Sequence, residues 1–250
     1  MIIAAVRSFV TYIAVSIYVL FAASIGMLIE MIFRWKGILY ILGHGGVRLG
    51  LALAGIKVRV AGKENLPLGR AAVYCANHQS NVDPPVLFTT LHPRMHIVYK
   101  AEINAIPLLA RAFQHGGFVP IERRNKEAAM RSLEAGAKSI RDGNSFLIFP
   151  EGTRSKTEEM LPFKKGGFLM ALKAQAPIVP VAISGGRDAM RRGSAIIRPV
   201  EISIRVGEPI ETAGLTMNDR DELIARVRDR IAALLAEGPV VDSAHEGARA

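Results

Sequence analysis

The chain has 250 residues, half of them hydrophobic, with 32 Lys and Arg against 22 Asp and Glu for a formal net charge of +10. The length suffices for a substantial core in one domain plus an appendage, and the single cysteine, Cys75, excludes an intramolecular disulfide and suits a reducing compartment. The charge calls for an anionic partner such as nucleic acid, phospholipid headgroups or a phosphorylated small molecule, and a mean hydropathy of +0.25 is high for a fully soluble protein.

Residues 8–29 carry no charged side chain and lie between Arg7 and the group Glu30, Arg34 and Lys36. About 20 apolar residues make a bilayer-spanning helix, and a core helix seldom runs this long without a charge. A cleavable signal peptide fits less well, because the run is too long and no small-x-small exit follows it. The second apolar stretch, Gly37 to Ile56, is interrupted by His44, Gly45, Gly46 and Arg48. It suits a helix in the membrane interface or the returning arm of a hairpin. The glycines at 43, 45 and 46 follow no strand and lack the G-x-G-x-x-G spacing, so they form no dinucleotide loop. Positive charge after the first segment (Arg34, Lys36, Arg48) favours the C-terminal body in the cytoplasm. The expected location is therefore the cell membrane, with the remainder of the chain on its cytoplasmic side.

From Ile56 the texture becomes an α/β alternation. Residues 56–60 alternate as a strand, Gly62 to Gly69 is a turn-rich link, and 71–76 is a short apolar strand holding Cys75 as an inert thiol. A helix near 84–91 starts with Pro84-Pro85 in its first turn. A strand over 96–100, a helix from Pro107 through Phe113 and a strand over 118–124 follow. Lys126 to Asp142 reads as a helix with the stripe Met130, Leu133, Ala137 and Ile140, and Gly143 stops it. Further strands are expected over 145–149, 177–184 and 196–206, with a helix from Gly167 to Lys173. Asn218 opens a last helix with the stripe Leu223, Val227, Ile231 and Leu234. The expected organisation is membrane-anchoring helices over 1–56, an α/β domain over 57–236 and a loose tail over 237–250. The fold class is α/β, with a mixed, largely parallel sheet flanked by helices.

Chemistry concentrates in two loops. Asn77-His78-Gln79-Ser80-Asn81-Val82-Asp83 follows a strand, and Asp83 falls where a helix N-cap belongs. Taken alone, His78 and Asp83 read as a strand end and a helix cap. A turn between them instead lets one carboxylate oxygen hold a ring N–H of His78 and leaves the other nitrogen free to accept a proton. The second loop, Pro150-Glu151-Gly152-Thr153-Arg154-Ser155, leaves a strand end, where open α/β sheets put ligands. Glycine admits close backbone approach, Thr153 offers a hydroxyl and Arg154 can fork onto phosphate. No Walker loop is present. His92 and His96 are four apart, but Pro93 and the following strand spoil the helix that a metal pair at this spacing needs, and no metal is expected.

Four blocks now stand in order: Asn77 to Asp83, Gly117 to Arg123, Phe149 to Ser155, and Pro177 to Ile183. With the segments Lys100-Ala101-Glu102 and Phe163 to Phe168, they make residues from about 60 to 210 resemble the glycerolipid acyltransferase family, most of all its 1-acylglycerol-3-phosphate acyltransferases. The resemblance implies acyl transfer from acyl-CoA or acyl-carrier protein to the sn-2 hydroxyl of lysophosphatidic acid, giving phosphatidic acid. It implies His78 as general base with Asp83 orienting it, direct attack by the acceptor without an acyl-enzyme, and no cofactor. The absence of G-x-S-x-G agrees with this. By the same resemblance Arg123, Glu151, Gly152, Thr153 and Arg154 bind the acceptor phosphate, Glu151 by orienting Arg154 or Arg123 because it is itself an anion. Lys100 is a further candidate for stabilising charge near the thioester, against the ordinary reading of an exposed strand-end lysine. Anionic membrane lipids are the partner expected for the basic charge.

Three other readings compete. A sibling enzyme acting on glycerol-3-phosphate or a lyso-aminolipid shares these motifs. A nucleic-acid-binding module is disfavoured, since the basic residues are not interleaved with exposed aromatics, which make up only 6% of the chain. A non-catalytic membrane scaffold has no need of both His78 and Asp83.

Overall fold

A computed structural model describes residues 2–121 and 126–241. It opens with an antiparallel helical hairpin, α1 (Ile2–Phe33) and α2 (Gly37–Ala54). The α2 glycines that make no nucleotide loop serve close helix packing. A Cβ on Gly46 would lie 2.8 Å from the Tyr18 ring and one on Gly50 3.1 Å from Val15, while the Tyr18 hydroxyl donates to the Leu42 carbonyl at 2.9 Å. Both helices are long and apolar enough to cross a membrane by length and composition. Phe9, Phe21, Leu28 and Met31 of α1 face outward, which is the reverse of a core helix.

The body is a seven-stranded sheet: β1 (Lys57–Ala61), β2 (Val73–Ala76), β3 (Met95–Lys100), β4 (Val119–Ile121), β5 (Ser145–Ile148), β6 (Ile178–Ser184) and β7 (Glu201–Val206). Its order is β1-β7-β6-β2-β5-β3-β4. Every neighbouring pair is parallel except β6 and β7, so the sheet is mixed and largely parallel as expected. Helices α3 (Asp83–Thr90), α4 (Pro107–His115), α5 (Lys126–Arg141), α6 (Gly166–Ala174), the short α7 (Gly186–Ala189) and α8 (Arg220–Ala236) cover it. The two-residue strand period divides the core. Tyr74 and Ala76 of β2 face the layer with α3 and the end of α2, while Val73 and Cys75 face α5, α6 and α8. The central strands are buried on both faces, which is why they read as continuous apolar runs.

Several expectations shift. The strand expected from Ile196 begins only at Glu201, because the backbone of Ile197 bonds to Ser8 of α1 instead of a sheet neighbour. Asn218 does not open the last helix: it lies in a 3-10 turn at Met217–Asp219 that Thr216 and Asp219 cap in a capping box, and α8 follows with Asp219 at its N-cap. Its stripe Leu223, Val227, Ile231 and Leu234 is buried as expected. On α5, Leu133, Ala137 and Ile140 are buried and Met130 is exposed. The start of the expected tail packs on β7, with the Val240 amide on Ser203 Oγ at 3.0 Å. Positions 242–250, and the end of the strand expected over 118–124, lie outside the described residues.

Candidate active site

β2 and β5 are parallel neighbours at the centre of the sheet, with Cys75 paired to Ile148. His78 and Glu151 each lie three residues beyond that pair, so both loops leave the carboxyl edge of the sheet side by side. His78 Nδ1 lies 2.9 Å from Asp83 Oδ2. The same oxygen accepts the amides of Gln79 and Ser80, each at 2.7 Å. Asp83 is fully buried, and the His78 side chain keeps 15% of its surface. The imidazole stacks on Phe149, ring centroids 4.2 Å apart. Its Nε2 has no hydrogen-bond partner among the described residues. The ring is therefore tied at Nδ1 and open at Nε2.

Asp83 is the first residue of α3 and not its N-cap; Val82 takes that place without a side-chain bond. A capping side chain needs an N–H at N2 or N3, and Pro84 and Pro85 supply none. The carboxylate turns back onto residues 78–80.

Glu151 is buried and binds backbone through both oxygens. Oε1 accepts the His78 amide at 2.8 Å and Oε2 the Leu161 amide at 2.9 Å. It clamps one loop to the other with no bond to Arg154, and the Ser155 amide completes the clamp on the His78 carbonyl at 2.8 Å. Burial pushes the Glu151 carboxyl above its ordinary range, outweighing the pull of the two amides in the other direction. Arg228 of α8 fixes the far side of the loop by donating to the carbonyls of Leu161 and Met160 at 2.7 and 3.1 Å.

A third segment, residues 183–198, underlies the turn. Asn77 brackets Ile183, donating to its carbonyl at 2.9 Å and accepting its amide at 2.8 Å. Ser80 Oγ donates to the Met190 carbonyl at 2.9 Å and is fully buried, so it has no access as a nucleophile. Arg192 donates to the Arg154 carbonyl at 2.9 Å. The segment ends on α1, where Tyr12 donates to Ala195 O and Ser8 Oγ accepts the Ile197 amide.

Gly152 takes a left-handed φ of 68°, and the Lys164 side chain lies 2.9 Å from where its Cβ would be. Thr153 is exposed and Arg154 half-buried. The Arg154 guanidinium makes no ion pair with a described residue. Arg123 lies outside the described residues. Lys100 stands at the end of β3, two strands from β2, exposed and 3.9 Å from Glu102.

The Acyltransferase family model matches residues 57–184, just over half of the chain. The chain belongs to the acyltransferase family. A 1-acyl-sn-glycerol-3-phosphate acyltransferase of Limnanthes douglasii is 30% identical over 226 residues, covering 88% of this chain and 80% of that protein. The Homo sapiens 1-acyl-sn-glycerol-3-phosphate acyltransferase alpha is 31% identical over 186 residues, covering 74% of this chain and 66% of that protein. The crystal structure of the 1-acyl-sn-glycerophosphate (LPA) acyltransferase PlsC from Thermotoga maritima superposes with a TM-score of 0.81 over 95% of this chain and 97% of that one; at 22% identity this shows the fold.

In this acyltransferase an apolar cavity of about 690 Å³ opens between the hairpin and the body. Val15, Val47, Leu51, Phe88 and Phe118 line it, and it reaches Asn81 and Val82 of the His78 turn. The remaining titratable candidates are structural. His96 is buried against Tyr40, Phe118 and Phe146, and burial, helped by Lys36 and His92, lowers it to about 4, so it stays neutral. His92 Nδ1 accepts the Arg94 amide in a turn. Burial raises the Cys75 thiol, which fits the inert role expected of it. Sequence reading missed Arg192, Arg228 and Ser8, since a lone arginine or serine carries no pattern that marks its partner.

Proposed function

We propose that this acyltransferase moves a fatty acyl group from an acyl thioester, acyl-CoA or acyl-carrier protein, to the sn-2 hydroxyl of 1-acylglycerol-3-phosphate. The carrying observation is the His78 Nδ1 to Asp83 Oδ2 contact of 2.9 Å with Nε2 left open. Nε2 takes the proton of the acceptor hydroxyl as its oxygen attacks the thioester carbonyl. Asp83 holds the reactive tautomer and offsets the imidazolium charge. Collapse of the tetrahedral intermediate breaks the C–S bond, and the imidazolium returns its proton to the departing thiolate. The acceptor is itself the nucleophile, so no acyl-enzyme forms, and neither buried Ser80 nor buried Cys75 is placed to make one.

Arg154 beside Gly152 and Thr153, with Arg123 of the neighbouring block, binds the acceptor phosphate. Glu151 supports this site by holding its loop. The apolar cavity takes an acyl chain; its volume lies in the ordinary range of ligand pockets, roughly 300–1,000 Å³. The outward-facing α1 side chains support membrane association, and on this reading the enzyme works at the surface of the cell membrane with its α/β body on the cytoplasmic side, where the acceptor resides. The acceptor named here is also the one in the names of the Limnanthes douglasii and Homo sapiens relatives.

The test is thioester-dependent acylation of 1-acylglycerol-3-phosphate by wild type and His78→Ala, with lyso-aminolipid and glycerol-3-phosphate as competing acceptors. Phosphatidic acid from wild type and none from the variant is expected. A variant as active as wild type removes His78 from the mechanism, and activity on a competitor alone changes the acceptor while keeping the chemistry.

A further inference from the structure

Asp83 distributes its hydrogen bonds unevenly. Oδ2 faces three N–H groups, from His78 Nδ1 and the Gln79 and Ser80 amides, while Oδ1 is buried without a partner among the described residues. A carboxylate held at one oxygen keeps its plane only if something bounds the other. That boundary is Gly186. A Cβ there would lie 2.2 Å from Asp83 Oδ1 and 3.2 Å from the Ser80 Cβ. Both sides of the contact are fixed. Asp83 opens α3 ahead of two prolines. Gly186 lies between Ile183, bracketed by Asn77, and Met190, whose carbonyl holds Ser80. Neither backbone can withdraw without breaking bonds to the His78 turn itself.

We propose that Gly186 is a positioning residue for acyl transfer, its bare Cα forming the wall that holds the Asp83 carboxylate with Oδ2 on His78 Nδ1. This rests on His78 being the base. Any side chain at 186 rotates the carboxylate, takes Oδ2 away from the ring and leaves the imidazole unaligned. The substrate-binding loops are not in this contact, so the effect falls on turnover and not on saturation.

The experiment compares Gly186→Ala, Asp83→Ala and the double variant with wild type. Gly186→Ala is expected to lower kcat by about 10²-fold, the scale of a misplaced catalytic group, with KM for both substrates unchanged. The low-field proton resonance of a His78 Nδ1–H bonded to a carboxylate is expected to shift or vanish. The double variant is expected to equal Asp83→Ala in activity and in melting temperature, because the clash disappears with the carboxylate. If Gly186→Ala folds poorly, recovery of the fold in the double variant supports the contact, and no recovery overturns it. Wild-type kcat with an intact resonance overturns it too, as does an added loss of activity on top of Asp83→Ala. An active His78→Ala would retire the catalytic reading, while the stability coupling between 83 and 186 would still report the contact.

Discussion

The described partners of Glu151 are backbone amides and not the Arg154 guanidinium. An anion in a phosphate loop reads as a partner for arginine, yet in a parallel sheet the chain three residues past Ile148 meets the chain three residues past Cys75. The donors it finds there are two backbone amides, at His78 and Leu161. Glu151→Gln turns an NH₂ toward one of these amides, donor against donor. The expected loss is about 1–3 kcal/mol of stability, the cost of a buried group left unpaired, measured by chemical denaturation. The pH sign follows from burial. Because the folded state raises this carboxyl, it binds the proton at a higher pH than the unfolded chain, and this group favours folding as pH falls. Wild type is therefore expected to fare better relative to Glu151→Gln on moving from about pH 7 to about pH 4.5. Equal slopes would show that burial does not govern Glu151.

Between elements, residues 183–198 connect parts that the sequence leaves unrelated. The segment meets the His78 turn at Asn77 and Ser80, the loop after β5 at Arg154 and helix α1 at Ser8 and Tyr12. Ser8 is buried, and its hydroxyl accepts the Ile197 amide at 2.8 Å. Ser8→Ala is expected to cost about 1–3 kcal/mol and to lower activity without changing the residues of the site. Denaturation midpoints and turnover on the same preparation check both effects, and an unaltered midpoint means the α1 tie is not carrying load. The apolar stripes and turns of α5, α8 and the sheet strands were legible because each depends on local periodicity. The 189-residue separation of Ser8 and Ile197 has no local signature.

At the scale of the molecule, a basic chain carries an apolar hairpin whose large side chains face outward. On the membrane reading proposed above, headgroup attraction and burial of the α1 surface would act together at an anionic bilayer. Full-length protein is expected to float with anionic liposomes, and the bound fraction to fall with added salt only as far as the charge contributes. Protein that stays wholly unbound would sink the membrane reading.

The sequence by itself determined the α/β class, the apolar N-terminal segments, and His78, Asp83 and Arg154 as the residues to watch, because hydrophobic period and short motif spacing are properties of neighbouring residues. Tertiary structure decided what those residues touch. Parallel pairing of β2 with β5 put the Glu151 clamp on the His78 amide, two prolines after Asp83 turned its carboxylate back toward the ring, and the chain beyond β6 brought a glycine against that carboxylate. Each is a contact between stretches far apart in the chain or a competition for N–H groups, and both are settled only when the sheet has set the distances.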